Sequence, residues 1–334
     1  MTFEIKWMIE NAKTMNCRQT SIMNINSLSR CRAALLVLCC ALLPVQMHAD
    51  KVWQPAEIGS GAYRLKPDTT QVYKTVELDG EAVALHIHAF LPEGYKTSDK
   101  RPAAVFFHGG GWHGGTPDHF YPQARYLALR GMVAFSVEYR TIKRFQNSPK
   151  ECVADGKSAM RWVRAHAAEL GVDPSRIAAG GGSAGGHIAA ATALTEGFNE
   201  PGEDTTVSCV PDVLLLFNPV FDNGPDGFAH SLVQPYWQAI SPAEHIDEQA
   251  PPTVVILGTA DEIIPVSTIE RYKQRMEAAG RRCDLHLYEA QPHGFYNIWV
   301  SRDFLAETMI VVDRFLVSLG YLQGEPLFDE AESN

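Results

Sequence analysis

The sequence is poor in cysteine and in positive charge. Seven cysteines occur in 334 residues, and only Cys152, Cys209 and Cys283 come after residue 49. Three late cysteines exclude a disulfide-rich scaffold, although they leave one bridge open, and their spacing fits no metal site. The formal net charge is −10, from 29 basic and 39 acidic residues. An acidic surface argues against nucleic acid or an anionic membrane as the partner.

The apolar run at residues 33–45 is too short to span a bilayer comfortably. Arg30 and Arg32 precede this run, and Ala49 is a small residue at the expected cleavage position. A basic flank, a short apolar run and a small residue are typical of a secretory signal peptide, so we predict one over residues 1–49. The alternative is a buried helix.

Removal of the signal peptide leaves residues 50–334, which we expect to form a single domain. The removed part carries five basic and two acidic residues, so the exported chain is more acidic than the whole. We predict a periplasmic or secreted protein that does not insert into the membrane after processing. Met23 is an alternative start, and by that hypothesis residues 1–22 precede the true N-terminus.

No internal repeat or low-complexity linker interrupts the rest of the chain, where strand and helix patterns alternate. The predicted strands are residues 83–90, 103–107, 132–137, 177–179, 213–217, 253–257 and 285–288. The predicted helices are residues 121–129, 152–170, 185–194, 269–276 and 304–319. Such alternation predicts a mainly parallel sheet with helices on both faces. Functional side chains are expected beyond the carboxyl ends of the strands.

The strongest motif is Gly-Gly-Ser-Ala-Gly at residues 181–185. It follows a predicted strand and opens a predicted helix of small residues. A serine on such a sharp turn projects its hydroxyl above the sheet, and its flanking residues must be small because the chain passes close to itself. The first N–H groups of the helix favour negative charge in front of Ser183. Ser183 is the candidate nucleophile, with a glycine-rich structural turn as the alternative.

A serine hydroxyl is a weak nucleophile and needs a base that a third group orients. His293 lies in the loop after the last predicted strand, and its rank in the chain fits the order serine, acid, histidine. His286 is the rival, but it lies within that strand. We therefore predict that His293 is the base.

The acid is expected after the predicted strand at residues 253–257, and Asp261 stands there. Glu262 is adjacent, but its side chain leaves the loop in a different direction. Asp222 follows the preceding strand and is the more serious rival, because the acid can migrate to that strand end. We predict Asp261 as the acid and assign Asp222 to the substrate pocket.

The glycine-rich loop Gly109–Gly111 follows another predicted strand, and so many glycines carry an entropic cost. Attack by Ser183 on a carbonyl creates an oxyanion, and one backbone N–H donor contributes about 3 kcal/mol to its stabilisation. Ala184 supplies one such N–H, and the glycine loop supplies the others. His108 is expected to brace the loop. Trp112 is expected either to line the acyl or alcohol pocket or to pack at its rim.

These motifs, in this order, resemble the hormone-sensitive-lipase-like esterase group of the α/β-hydrolases over about residues 80–320. The matching segments are His108–Gly111, residues 181–186, Asp261 and residues 292–295. The resemblance implies an α/β-hydrolase fold and serine carboxylesterase activity that needs no metal or organic cofactor. By the same similarity, Gly110, Gly111 and Ala184 are the oxyanion donors.

Two departures from that group bear on the substrate. Many members have an aspartate before the nucleophile, where this chain has Gly182. Many also have a substantial N-terminal cap, whereas only about twenty residues separate the signal peptide from the first expected elements here. Residues 221–250 are expected to form a small lid. A reduced cap suggests an open cleft and argues against long-chain lipid substrates.

Exported esterases of this kind often resemble enzymes that remove acetyl groups from plant or algal polysaccharides. We therefore expect a secreted esterase for short acyl groups, chiefly acetyl, on a polysaccharide or oligosaccharide. One alternative is an esterase for small-molecule or lipid short-chain esters. A prolyl-type peptidase is another, although the chain has no room for a gating domain. A non-catalytic binding module is the third, although such relatives typically lose the serine or the histidine.

Overall fold

The computed structural model describes residues 65–328, so the predicted signal peptide and the alternative start lie outside the described part. The strands in this range are β1 (Thr69–Leu78), β2 (Glu81–Phe90), β3 (Arg101–Phe107), β4 (Val133–Val137), β5 (Val172–Gly182), β6 (Val213–Phe217), β7 (Thr253–Gly258) and β8 (Cys283–Tyr288). They form one sheet in the order β1-β2-β4-β3-β5-β6-β7-β8. Strands β3 to β8 run parallel, and β2 is antiparallel to both β1 and β4.

Helices cover both faces of this sheet. They are α1 (Tyr121–Leu129), α2 (Ile142–Phe145), α3 (Pro149–Ala165), α4 (Ala184–Leu194), α5 (His230–Val233), α6 (Trp237–Ile240), α7 (Val266–Ala278) and α8 (Arg302–Ser318). One face packs on α3, α4 and α7 through side chains such as Val163, Ile188 and Ile269. The other packs on α1 and α8 through Leu127 and Phe315. The predicted mainly parallel sheet between two helical layers is confirmed.

The central strands are apolar on both faces because helices lie on both faces. Every residue of β6 and β7 is buried, and β3 is buried from its second residue onward. Since these strands are parallel, their carboxyl ends share one edge of the sheet, and the loops that follow them meet there. The strand ends at this edge are Phe107, Gly182, Phe217, Gly258 and Tyr288.

The edge strand β1 is absent from the strands that the sequence predicts. Tyr73 and Val76 are its only buried residues, so its sequence carries little of the apolar alternation that marks a strand. The segment expected to form a lid contains the short helices α5 and α6. Val233 and Ile240 from these helices pack against Val153 of α3.

The three cysteines that lie among residues 65–328 are buried free thiols. The disulfide bridge that the sequence leaves open is therefore not formed by Cys152, Cys209 or Cys283. No helix within the described range is long and apolar enough to cross a membrane.

Candidate active site

Ser183 occupies a sharp and strained turn. β5 ends at Gly182 and α4 begins at Ala184, so one residue joins the strand to the helix. The φ angle of Ser183 is +54°, a left-handed value that is uncommon for residues with a side chain. Its N–H donates to the carbonyl of Phe217 at 3.0 Å. Strain at this position is the geometry of a nucleophile elbow, which exposes the hydroxyl at the top of the sheet.

The glycines on either side make this turn sterically possible. A Cβ at Gly181 would lie 2.5 Å from the carbonyl oxygen of Phe107. A Cβ at Gly185 would collide with the carbonyl oxygens of both Phe107 and His108. Backbone oxygens held in a sheet cannot retreat as a flexible side chain can, so both positions require glycine. The same close contact holds the end of β3, where the glycine-rich loop begins, against the Ser183 turn.

Asp261 and His293 are joined by a direct hydrogen bond. Asp261 Oδ2 lies 2.7 Å from His293 Nδ1. The other carboxylate oxygen accepts the backbone N–H groups of Ile263, at 2.8 Å, and Ile264, at 2.9 Å. The Asp261 side chain has no exposed surface, whereas that of His293 is 21% exposed. Because a carboxylate accepts hydrogen bonds, the proton resides on Nδ1, and Nε2 carries the lone pair of a base.

Two loops are tied together so that this hydrogen bond can form. The Ala260 N–H donates to the Gln291 carbonyl at 3.0 Å, and the Ala290 N–H donates to Thr259 Oγ1 at 2.8 Å. Gly258 lies so close to Gln291 that a Cβ there would collide with the Gln291 carbonyl oxygen. The loop after β7 and the loop after β8 are therefore held side by side by their backbones.

The two rival acids do not contact His293. Asp222 accepts the Gly224 N–H at 2.7 Å and lies 3.4 Å from the guanidinium of Arg271. These contacts place Asp222 in a turn of its own, so the expectation that it forms part of the substrate pocket finds no support in its contacts. Glu262 is exposed to solvent.

The rival base is held in a strand. His286 pairs with Ile256 in the ladder between β7 and β8, two residues before β8 ends. Its side chain therefore points to a face of the sheet and not beyond the carboxyl edge. Of these two histidines, His293 is the one that Asp261 orients.

The glycine loop presents unpaired backbone donors beside Ser183. A Cβ at Gly109 would lie 3.4 Å from the Cβ of Ser183, so this loop and the turn are in contact. Gly110 and Gly111 have φ values of +117° and +60°. Within residues 65–328, neither N–H donates a hydrogen bond. The N–H of Ala184 is the first of α4, so it has no hydrogen-bond acceptor within its own helix. These three groups are the expected oxyanion donors, and each lacks a hydrogen-bond acceptor among the described residues.

His108 and Tyr139 brace the glycine loop from behind. Their rings stack with centroids 4.1 Å apart, and the Tyr139 hydroxyl donates to the His108 carbonyl at 2.8 Å. His108 Nδ1 lies 2.8 Å from the carbonyl oxygen of Gly109. Burial lowers the pKa of His108 to about 4, so the ring is neutral near pH 7. The geometry of His108 fits a bracing residue and not one that transfers protons.

Trp112 lies in the core and not at the surface of a pocket. Its side chain has no exposed surface, and its ring centroid lies 4.9 Å from that of His187 and 5.7 Å from that of Phe228. Its carbonyl accepts the Ile142 N–H at 2.9 Å. The expectation that Trp112 lines the pocket or its rim is therefore corrected. A side chain without exposed surface reaches a substrate only if its neighbours move, and here it anchors the end of the glycine loop.

Asn218 is a site residue that the sequence does not reveal. It directly follows β6, is buried, and has a φ of +34°. Its Oδ1 accepts the Gly294 N–H at 2.9 Å, and its Nδ2 lies 3.4 Å from His293 Nε2. The Ser183 hydroxyl has no hydrogen bond within the described residues. An asparagine followed by a proline predicts only a turn, so no local signal points to this contact.

Tyr296 explains the absence of an aspartate before the nucleophile. A Cβ at Gly182 would collide with the hydroxyl of Tyr296. Burial raises the pKa of Tyr296, so the phenol is neutral. Its hydroxyl also interacts with the Asn218 side chain. The space that a longer residue 182 would need is thus filled by a ring from the loop that carries His293.

Comparison with known proteins agrees with this geometry. A family model described as BD-FAE matches residues 88–212. Esterase 2 of Thermogutta terrifontis, solved with propionate bound, is 42% identical, with a TM-score of 0.71 over 77% of this chain and 96% of that one. The chain belongs to the α/β-hydrolase serine esterases. The apo form of the same Thermogutta enzyme is 41% identical to this esterase, with a TM-score of 0.74 over 79% and 98% of the two chains.

Curated relatives of this esterase match over shorter stretches. Esterase LipC of Mycobacterium tuberculosis is 30% identical over 202 residues, which cover 54% of this chain and 49% of LipC. Carboxylesterase NlhH of the same organism is 38% identical over 130 residues, which cover 39% of each chain. The chain thus spans about half the length of LipC and 39% of the length of NlhH.

The choice of acid can be tested by one matched pair of variants. Asp261→Asn should lower kcat on nitrophenyl acetate by about 10³–10⁴-fold, because an amide can donate to Nδ1 and so favours the wrong tautomer of His293. Asp222→Asn makes the same change in the rival acid and should leave kcat close to its original value. Thermal unfolding of both variants checks their folding. A large loss confined to the Asp222 variant would reverse the assignment.

Proposed function

We propose that this protein hydrolyses carboxylic esters of short acyl groups, chiefly acetyl, through an acyl-enzyme intermediate on Ser183. The observation that carries the proposal is the hydrogen-bonded Asp261–His293 pair on the same sheet edge as a strained serine and a loop of free N–H donors. The fold alone hosts many functions. The combination, however, supplies the nucleophile, the base and the oxyanion donors of acyl transfer.

In the first step, the Ser183 hydroxyl attacks the ester carbonyl and His293 Nε2 accepts its proton. The imidazolium that forms is stabilised by the adjacent Asp261 carboxylate, which does not itself become protonated. His293 then gives the proton to the leaving alcohol. The acyl group remains on Ser183 as an ester.

The negative charge on the carbonyl oxygen develops against the free N–H groups of Gly110, Gly111 and Ala184. These donors are held by the backbone before the substrate arrives, so no reorganisation is required in the transition state. In the second step, a water molecule repeats the attack on the acyl-enzyme with the same base and donors. The carboxylic acid leaves and Ser183 is regenerated.

The proposed acyl length is supported by the related Thermogutta enzyme. Its structures contain propionate in one case and butyrate in another. Both are short carboxylates of the kind that ester hydrolysis releases. The relative is 41–42% identical and is covered almost completely by this chain, so we take its bound short carboxylates as support for short acyl groups in this esterase.

The proposed alcohol is a carbohydrate, and an open aromatic ring supports this proposal. Trp299 is 56% exposed and follows His293 in the same loop. Its ring centroid lies 5.0 Å from that of His119, which lies 6.0 Å from that of His108 at the start of the glycine loop. An open indole offers a flat apolar face on which the C–H face of a sugar ring can pack.

We also propose that the enzyme acts outside the cytoplasm, where polymeric carbohydrate is encountered. The support for this is the basic flank and the short apolar run at residues 33–45, which are typical of a signal peptide.

Acetate release from acetylated xylan and xylo-oligosaccharides tests the function, with Ser183→Ala as the blank. The enzyme should release acetate, and the variant should release none above background because it has no nucleophile. Activity on nitrophenyl acetate without release from either carbohydrate would remove the carbohydrate from the proposal and favour small-molecule esters. A folded enzyme that is inactive on every ester would contradict the proposal as a whole.

The role of the open indole can be tested separately. Trp299→Ala should raise KM for acetylated xylo-oligosaccharides by about twofold to twelvefold, because stacking on an aromatic ring contributes about 0.5–1.5 kcal/mol. The kcat/KM for ethyl acetate should not change, since its alcohol has neither a sugar nor an aromatic ring that could stack on the indole. Val210→Ala removes an exposed apolar side chain before β6 and is the control. An equal loss on both substrates in Trp299→Ala would contradict a sugar contact.

A further inference from the structure

The base nitrogen of His293 faces a hydrogen-bond donor other than the nucleophile. Asn218 Nδ2 lies 3.4 Å from His293 Nε2. No hydrogen bond from the Ser183 hydroxyl is present within residues 65–328. The base is therefore capped by an amide in this arrangement, and that feature is not used in the ester hydrolysis described above.

The orientation of the Asn218 amide is fixed by its other contacts. Oδ1 accepts the backbone N–H of Gly294 at 2.9 Å, so Oδ1 is the oxygen and Nδ2 the nitrogen. A flipped amide would set an N–H₂ group against the Gly294 N–H and lose this bond. The Nδ2 group donates hydrogen bonds and cannot accept them. The His293 ring must therefore present an unprotonated nitrogen to it.

The backbone also ties Asn218 to the nucleophile. Gly182 pairs with Phe217 between β5 and β6, so Ser183 and Asn218 are the next residues on neighbouring strands. The Asn218 N–H donates to the carbonyl of Ile256 at 2.7 Å, which extends the ladder to β7. Asn218 is buried and has a φ of +34°, a conformation that asparagine adopts more readily than most residues with side chains.

We propose that Asn218 is a positioning residue that keeps His293 neutral, with Nε2 unprotonated, until an ester binds. Asp261 takes the Nδ1 proton and Asn218 donates to Nε2, so both neighbours favour the same tautomer. Nε2 has one lone pair, and the contact from Asn218 is long. The Ser183 hydroxyl displaces it when the reacting geometry forms. This inference rests on the proposed function, in which His293 is the base.

The direction in which pH should affect the enzyme follows from the Asn218 N–H donor that faces His293 Nε2. A donor facing Nε2 stabilises the neutral ring and opposes the imidazolium, which has no acceptor there. Asp261 is the titratable group in contact with His293, and Tyr296 is the one beside Asn218. Both are present in all variants below, so a shift reports on residue 218.

Asn218→Asp places a carboxylate beside Nε2 and should stabilise the imidazolium. The acid limb of the kcat/KM profile on nitrophenyl acetate should move to higher pH by about one to three units. Asn218→Ala removes the donor and should move the limb in the same direction by less. Asn199→Asp makes the same charge change on the exposed loop after α4 and should leave the limb in place. A structural role alone lowers kcat in Asn218→Ala without moving the limb, and an unmoved limb in folded Asn218→Ala overturns the proposal.

A second measurement needs no variant of Asn218 and no turnover. Nitrogen NMR of the ¹⁵N-histidine-labelled enzyme, with the His293 signal assigned by its loss in His293→Gln, reports the tautomer directly. The proposal requires a neutral ring with Nδ1 protonated and Nε2 unprotonated. A neutral ring protonated on Nε2 would set two donors against each other and overturn the proposal. Failure of the proposed ester hydrolysis would instead appear as absent turnover with the predicted tautomer intact.

Discussion

The orientation of one imidazole ring governs everything this site can do. The hydrogen bond from His293 Nδ1 to the buried Asp261 carboxylate, at 2.7 Å, decides which ring nitrogen remains a base. That bond can form because hydrogen bonds join the two neighbouring loops just before it, from the Ala260 N–H to the Gln291 carbonyl and from the Ala290 N–H to Thr259 Oγ1. The ring is therefore positioned by two loops that adjacent parallel strands place side by side.

The second constraint is the close approach of bare backbone to the nucleophile. Gly181 and Gly185 let the Ser183 turn pack against the end of β3, and the same contact brings the glycine loop to the serine. Large side chains hold both ends of this loop. The Tyr139 hydroxyl donates to the carbonyl of His108, which precedes the loop, and Trp112, which follows it, is buried. The glycines lower the stability of the fold through their entropic cost, but they also expose the backbone N–H groups that can stabilise an oxyanion.

Much of this arrangement could be predicted from the sequence because the relevant residues stand directly after apolar strands. Ser183, Asp261 and His293 all follow such strands, and the parallel sheet brings those ends together. The remaining features depend on packing between distant segments. The burial of Trp112 depends on residues from α4 and from the segment before α5, and the contact of Asn218 with His293 depends on register across three strands. The strand β1 could not be predicted from the sequence, because an exposed edge strand lacks apolar alternation.

The central claim is that Ser183 is a nucleophile activated by His293. The most direct measurement is the reaction of the folded protein with an alkyl fluorophosphonate, followed by intact-mass and peptide-mapping mass spectrometry. The account predicts a single adduct, located on Ser183, whose formation is slowed by orders of magnitude in His293→Gln. An unmodified Ser183 in folded protein, or labelling that is as fast without His293, would contradict it.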